Sequence, residues 1–244
     1  MQLNAARPGA ILGAMRSLAL VVVLAACGGH DSAGDGSGSA GSCTPIPADE
    51  SGDGTYYDAD GTGNCSFDAS PDDLMVAAMN AADYDDAAWC GACLDVTGPM
   101  GEVVVRVVDQ CPGCQHGDLD LSPQAFAMLA PLSEGRIPIT WSEVACDVTG
   151  PIAYRFKEGS SQYWTAIQVR GARYPIAKLE AQVGGTWAAI PREDYNYFVE
   201  ASGLGPGPYL LRVTDTRGQV VTDSGIALGA GVVDTGASQF PACE

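Results

Sequence analysis

Residues 109–122 read DQCPGCQHGDLDLS, and the fold turns on what this stretch joins. It holds a C-x-x-C, Cys111 to Cys114, bracketed by two acids, Asp109 and Asp120. Just upstream lies Glu102–Val108 (EVVVRVV), a β-branched run that predicts a buried strand, so Asp109 follows a strand end. Downstream, Ser122-Pro123 opens a helix through Leu129, with a capping serine and proline in the first turn, and Asp120 stands just before it. Two carboxylates at element ends can face a common groove. A glycosidase uses such a pair, one as acid and one as base or nucleophile. The structural alternative has Asp120 cap the helix and Asp109 close a turn.

Reading outward, Ser70-Pro71-Asp72-Asp73 predicts another helix start, continued by the alanine-rich stretch to about Ala82. Ile137–Val144 reads as a further strand. Several short strands with few helices, from about Cys43 to Thr149, point to a small closed barrel. From Pro151 to Glu244 the pattern changes. Strand-like runs recur at Ala153–Phe156, Trp164–Arg170, Leu179–Val183, Tyr209–Thr214 and Val220–Thr222, separated by Gly and Pro turns, with no helical period. That is the pattern of an all-β sandwich. The boundary falls at Thr149-Gly150-Pro151.

The chain has 30 acidic residues against 12 Lys and Arg, a formal charge of −18. Nucleic-acid binding is excluded on that balance, because phosphate contacts need basic side chains. Adhesion to anionic walls or lipids is disfavoured for the same reason. At the N-terminus, Arg7 and Arg16 precede an apolar run, Leu18–Ala26 (LALVVVLAA), too short for a comfortable membrane span but suited to a signal peptide. It ends L-A-A-C at Leu24–Cys27, which resembles a bacterial lipobox. Residues 1–26 are therefore expected to be removed and Cys27 lipidated. Residues 27–42, rich in Gly, Ser and Asp, are expected to form a flexible tether. The protein is expected to be exported, lipid-anchored to the cell envelope or surface, or extracellular, touching the membrane only through that anchor.

Setting Cys27 aside leaves Cys43, Cys65, Cys90, Cys93, Cys111, Cys114, Cys146 and Cys243. Cys90–Cys93 and Cys111–Cys114 have zinc-ribbon spacing. An even count in an exported chain favours four disulfides instead. Cys43 and Cys243, at the two ends, are candidates for each other; the rest of the connectivity stays open. A redox role for Cys111–Cys114 lacks the thioredoxin-like strand and helix pattern around it.

The two histidines, His30 and His116, rule against a histidine triad or a His-rich metal site, and no metal or cofactor is expected. Gly203–Gly207 (GLGPG) lacks the helix and lysine of a nucleotide loop. Asp72, Asp73, Asp85 and Asp86 read as solvated acids. Aromatic residues make up 7 % of the chain, yet Tyr163 and Trp164 are adjacent and Tyr195 and Tyr197 crowd DYNYF. Neighbours on a strand point to opposite faces, so one of Tyr163 and Trp164 is exposed, or both are if a loop turns them out. Exposed flat rings on a sandwich suit stacking on sugars. Trp141 and Trp187 read as core.

These motifs together resemble the bacterial expansins. The first half carries TYY at Thr55–Tyr57, VVD at Val107–Asp109 and LDLSPQAF at Leu119–Phe126. The second carries YRFKEGSSQYW at Tyr154–Trp164, AIQVRGARYP at Ala166–Pro175, DYNYF at Asp194–Phe198 and VTDTRG at Val213–Gly218. The match runs in order from about Gly54 to about Gly225. The resemblance implies a mainly β protein: a six-stranded double-psi β-barrel over 43–149, related to family 45 endoglucanases and lytic transglycosylases, then an immunoglobulin-like β-sandwich over 150–244 serving as carbohydrate-binding module. By the same resemblance, Asp120 is the essential aspartate, Asp109 and Thr55 are polar groove residues, Tyr163, Trp164 and Tyr195 form an aromatic platform, and Lys157 is a polar residue beside it.

Departures stand out too. Cys111 sits where bacterial relatives often have a groove tyrosine, Tyr163 replaces a usual tryptophan, and the charge is acidic where well-known bacterial members are basic. The expected function is non-hydrolytic loosening of cellulose or a related β-glucan by a monomer. The alternatives are a glycoside hydrolase or lytic transglycosylase of the same barrel, or a peptidoglycan-binding lipoprotein. Against hydrolysis, Thr55–Ala59 reads TYYDA, with Ala59 where the resemblance places a catalytic base and Asp58 and Asp60 on either side.

Overall fold

A computed structural model describes residues 43–44 and 48–243. The expected signal peptide, the expected tether and Cys27 lie outside the described residues. Six strands close into a barrel: β1 (Glu50–Tyr56), β2 (Val76–Asn80), β3 (Cys93–Gly98), β4 (Gly101–Cys111), β5 (Leu119–Leu121) and β6 (Ile137–Val144), in the order β1-β5-β2-β4-β3-β6. The β1–β5 and β2–β4 pairs are parallel and the others antiparallel. Inward side chains alternate along each strand, and Leu94, Val96, Val105, Val107, Leu119 and Leu121 meet in one buried cluster. Two short helices cover it, α1 (Ala81–Tyr84) and α2 (Pro123–Leu129). As expected, Ser122 caps α2: its Oγ accepts from the Ala125 N–H at 3.1 Å, with Pro123 opening the helix.

The expected helix from Ser70 to about Ala82 is not formed. Ser70–Asp73 is a turn, in which Asp73 N–H donates to the Ser70 carbonyl at 2.9 Å. Val76–Asn80 is then the central strand β2, buried at all five residues. The stretch VAAM has no polar side to show to water, so burial between two strands wins over the helix propensity of its alanines. Asn80 ends the strand and caps the four-residue helix α1, its Oδ1 accepting from Asp83 N–H at 3.0 Å.

The second half contains two four-stranded antiparallel sheets. One has the order β10-β9-β12-β13, from Thr186–Ile190, Ile176–Val183, Tyr209–Asp215 and Val220–Ile226. The other has the order β11-β8-β7-β14, from Phe198–Glu200, Thr165–Arg170, Ala153–Phe156 and Val233–Thr235. Tyr154, Phe156, Ile167, Leu179, Leu211, Val213 and Phe240 form the core between them. Trp141 is a core residue of the barrel, its Nε1 donating to the Gly117 carbonyl at 2.8 Å. Trp187 departs from expectation. It lies half-buried on edge strand β10, with the Arg212 guanidinium 4.3 Å from its ring centre. Arg212 is itself held by Glu180 at 2.7 and 2.8 Å. A cation held over the ring takes the place of core packing.

All eight remaining cysteines pair: Cys43–Cys243, Cys65–Cys90, Cys93–Cys146 and Cys111–Cys114. The two C-x-x-C motifs thus do not converge on a metal; Cys90 and Cys93 take different partners, and Cys111–Cys114 closes on itself. Barrel and sandwich are joined by more than the chain. Glu143 of β6 meets Arg217, in the turn between β12 and β13, at 2.8 Å with both side chains buried. Cys146 N–H donates to the Arg173 carbonyl at 2.9 Å.

Candidate functional site

Ladder register brings the groove residues into one row. Thr55 of β1 pairs with Asp120 of β5, Asp120 pairs with Ala78 of β2, and Ala78 pairs with Asp109 of β4. Leu119, Leu121, Ala77 and Met79 fill the barrel interior, so Asp120 and Ala78, alternating with them, face outward. Simple alternation along β4 would put Asp109 inside with Val105 and Val107. A bulge prevents this: Ala77 pairs with Val107 and Ala78 with Asp109, leaving Val108 as the extra residue. One extra residue flips every side chain that follows, and Asp109 emerges on the groove face. The loops take up the bulge's carbonyls, with Gly91 N–H donating to Val107 and Cys65 N–H to Val108.

Thr55 Oγ1 donates to Asp120 Oδ1 at 2.6 Å. Asp109 Oδ1 accepts from the N–H groups of Asn64, at 2.6 Å, and Gln110, at 2.8 Å. Gly63 makes this approach possible, since a Cβ there would lie 2.4 Å from the Asp109 side chain. Above them Tyr57 buries its hydroxyl, which has no hydrogen-bond partner among the described residues. Burial, and then the charges of Asp109, Asp120 and Asp60, push the Tyr57 phenol well above its usual range. Tyr57 therefore stays a neutral donor in a cluster of acceptors. Ala59 is buried on the same outer face with Val76 and Val108. Asp58 and Asp60 are exposed. Asp60 is engaged by Thr62, through Oγ1 at 2.5 Å and N–H at 2.9 Å, and these bonds lower its pKa. The helix cap is Ser122, so Asp120 does not have the structural role considered for it.

On the sandwich, Tyr163 and Trp164 belong to a turn before β8, closed by Ser161 N–H donating to the Trp164 carbonyl at 2.7 Å. Tyr163 is 74 % exposed and Trp164 half-buried. A turn, rather than a strand, thus decides their directions. Gly203 supports it from below: its φ is +75°, and a Cβ would lie 2.1 Å from the Gln162 carbonyl oxygen. Tyr195 and Tyr197 flank Asn196, whose φ of 62° is left-handed, a conformation asparagine takes more readily than most residues. Tyr195 remains half-exposed while Tyr197 is buried. The Lys157 ammonium lies 5.3 Å from the Tyr195 ring centre and 4.8 Å from that of Tyr197.

Asn64 connects the outward row of the barrel to the Asp194–Phe198 turn of the sandwich. Its backbone holds Asp109, while its Nδ2 donates to the Asp194 carbonyl at 2.8 Å and to Tyr84 Oη at 3.1 Å. Next to it, the Cys65 carbonyl accepts from Gln168 Nε2 at 2.8 Å and Asn196 Nδ2 at 3.1 Å. Tyr57, Gly63, Asn64, Gln168 and Asn196 were not expected from the sequence. Only Asn196 carried a local signal, an asparagine between two aromatics where the chain must turn.

A family model described as lytic transglycolase matches residues 76–141. Expansin-YoaJ of Bacillus subtilis is 43 % identical over 162 residues, 65 % of this chain and 69 % of the relative. The chain belongs to the expansin family. Expansin-like protein 2 of Dictyostelium discoideum is 34 % identical over 179 residues, 68 % of this chain and 44 % of the relative. The crystal structure of the Clavibacter michiganensis expansin superposes with a TM-score of 0.75 at 39 % identity, covering 80 % of this chain and 100 % of that one. A point mutant of that expansin, also at TM-score 0.75 and 39 % identity, was solved in complex with cellohexaose. The expected barrel-plus-sandwich fold agrees with this likeness.

Proposed function

We propose that this expansin binds a cellulose-like β-glucan chain along its groove and aromatic platform and loosens wall polysaccharide without hydrolysing it. The observation that carries the reading is the outward row Thr55–Asp120–Ala78–Asp109, with buried Ala59 where a hydrolase would need its base. Asp120, held by Thr55, offers its second carboxylate oxygen to a glucan hydroxyl. Asp109 stays oriented by the Asn64 and Gln110 N–H groups. Tyr163, Trp164 and Tyr195 stack on the apolar faces of the sugar rings, and Lys157 donates beside them. Competition for glucan hydroxyls replaces chain–chain hydrogen bonds one by one, and no covalent bond breaks. The cellohexaose complex of the Clavibacter relative supports the choice of a β-glucan. We also take the divide at Thr149-Gly150-Pro151 as the domain boundary. Residues 1–26 we take as an export signal and Cys27 as the anchor that holds the protein at the envelope.

Two measurements test this. Reducing-end release from amorphous cellulose, mixed-linkage glucan and peptidoglycan over a day should stay at background for the full chain and for Asp120→Ala. Release that vanishes in the variant would make the protein a hydrolase. In pull-down on insoluble cellulose, Trp164→Ala should lose at least about tenfold in affinity, the scale of removing one buried aromatic anchor. Undiminished binding would remove the platform from the mechanism.

A further inference from the structure

We propose that a cavity at the junction of barrel and sandwich is a second binding site, which takes a small aromatic carboxylate. Its volume is about 420 Å³, within the roughly 300–1,000 Å³ of small-molecule sites. Phe67, Met75 and Val104 line it from the barrel, and Ala172, Tyr174 and Ile176 from the sandwich. None of the residues proposed to contact glucan lines it, although Asn196, which sets the turn between Tyr195 and Tyr197, does, so the cavity lies behind that turn rather than on the polysaccharide surface itself.

Arg106 is the one basic residue among the described residues of the lining. Its guanidinium lies 5.3 Å from the centre of the Phe67 ring, and Arg170 approaches the same ring at 6.0 Å. Two cations thus share one ring, and Arg170 is the better satisfied of the two, with the Gln168 Oε1 and the Ser66 carbonyl accepting from it. Asp68 engages Arg170 at 2.5 Å. Arg106 has a weaker partner, Asp73 at 4.0 Å, and that side chain is largely in solvent, where water screens it. Burial together with the like charge of Arg170 outweighs Asp73 and lowers the Arg106 pKa. Asp147, the other acid of the lining, is exposed. The least solvated charge at the wall is thus an incompletely paired guanidinium. It matches the planar geometry of a carboxylate, and the apolar walls beside it match an aromatic ring.

The probe pair 2-naphthoate and its neutral counterpart 2-naphthamide separates the two parts of the proposal. Isothermal titration of the full chain should show naphthoate binding one to one and naphthamide at least tenfold more weakly. Arg106→Gln should bring naphthoate down to the naphthamide level. Ala172→Phe, which fills the cavity, should remove both. Equal affinity for the two probes, no binding of either at millimolar concentration, or full naphthoate binding by Ala172→Phe would each overturn the proposal. If a variant's melting point shows that it folds poorly, the naphthoate-to-naphthamide ratio on the unaltered chain decides alone.

Discussion

In the barrel, Thr55, Asp109 and Asp120 stand on hydrogen-bonded strands; in the sandwich, Tyr163, Trp164 and Tyr195 stand on turns. The groove is therefore positioned by register, in which a single bulge at Val108 decides which way Asp109 points. The platform is positioned by local backbone geometry, with Gly203 packed under the Tyr163 turn and Asn196 in the left-handed region. Covalent support differs as well. Three of the four disulfides staple the stretch from Cys65 to Cys146, and the fourth ties Cys43 to Cys243 across 200 residues. A register-built site fails when the sheet slips, whereas a turn-built site fails when one turn is disturbed. The two regions should respond to different lesions unless the contacts between them dominate.

The strongest way to break the comparison is to cut the buried link. Glu143→Gln removes one of two buried carboxylates near Arg217, the other being Asp215, so the loss stays below the ~3–5 kcal/mol of leaving a buried charge with no partner. Calorimetry should show one cooperative transition for the parent chain and two, the first at lower temperature, for the variant. A single transition at the parent's temperature would mean that this pair does not hold barrel and sandwich together.

The next pair of variants wounds each region separately. Gly52→Ala places a Cβ 2.4 Å from the Gly117 carbonyl carbon, under β1 of the barrel; Gly203→Ala places one 2.1 Å from the Gln162 carbonyl oxygen, under the platform. Overpacking of this kind costs about 1–3 kcal/mol. Both should lower the melting temperature, and Gly203→Ala should weaken adsorption to cellulose more than Gly52→Ala. Equal loss of adsorption would show that the platform depends on the barrel as much as on its own turn.

Smaller again is the effect of Asn64→Ala. The variant keeps the backbone N–H that holds Asp109 and loses the side-chain bonds to Asp194 and Tyr84. Leaving such partners unsatisfied costs about 1 kcal/mol where water can partly replace the donor. The change should be larger for a cello-oligosaccharide long enough to reach both groove and platform than for cellotriose. An unchanged ratio of the two affinities would deny the loop any part in aligning the two surfaces.

What could be read in advance follows the same division. Elements carried by short-range signals were legible: the β-branched run before Asp109, the Ser122-Pro123 helix start and five strand runs of the sandwich. The stretch Ser70–Ala82 misled because its alanines favour a helix in isolation, while its place between β4 and β5 exists only in the closed barrel. Asp109 and Asp120 were legible as a pair of acids that could face a common groove, but not as strand residues: Asp109 lies within β4 and Asp120 in the middle of β5, and the Val108 bulge that turns Asp109 outward is a property of pairing with β2. Trp187 carried no mark of the cation that covers it. Cys65 to Cys90 and Cys93 to Cys146 could not be chosen among the possible pairings, since separation along the chain says nothing of which strands become neighbours.

The last test returns to the DQCPGCQHGDLDLS stretch and sharpens the comparison by pH. His116 lies 2.9 Å from Asp83 and 3.8 Å from Glu50, and its pKa is raised, first by the hydrogen bond to Asp83 and then by the same carboxylate's charge. Asp83 also accepts from the Gly117 N–H at 3.0 Å, so the pair steadies the turn leading into Asp120. A histidine with a raised folded pKa stabilises fully below its ordinary value of about 6.5 and loses that contribution as pH rises through the folded value. The sandwich has no histidine, since none follows His116 in the chain. A small loss of stability above neutrality should therefore belong to the barrel alone. NMR titration of the His116 ring should give a midpoint above 6.5 that Asp83→Asn returns toward it, with barrel amides next to β5 moving in step. Sandwich amides titrating over the same range would mean that the His116 turn reports to both halves, and that the separation between register-built and turn-built sites does not hold for charge.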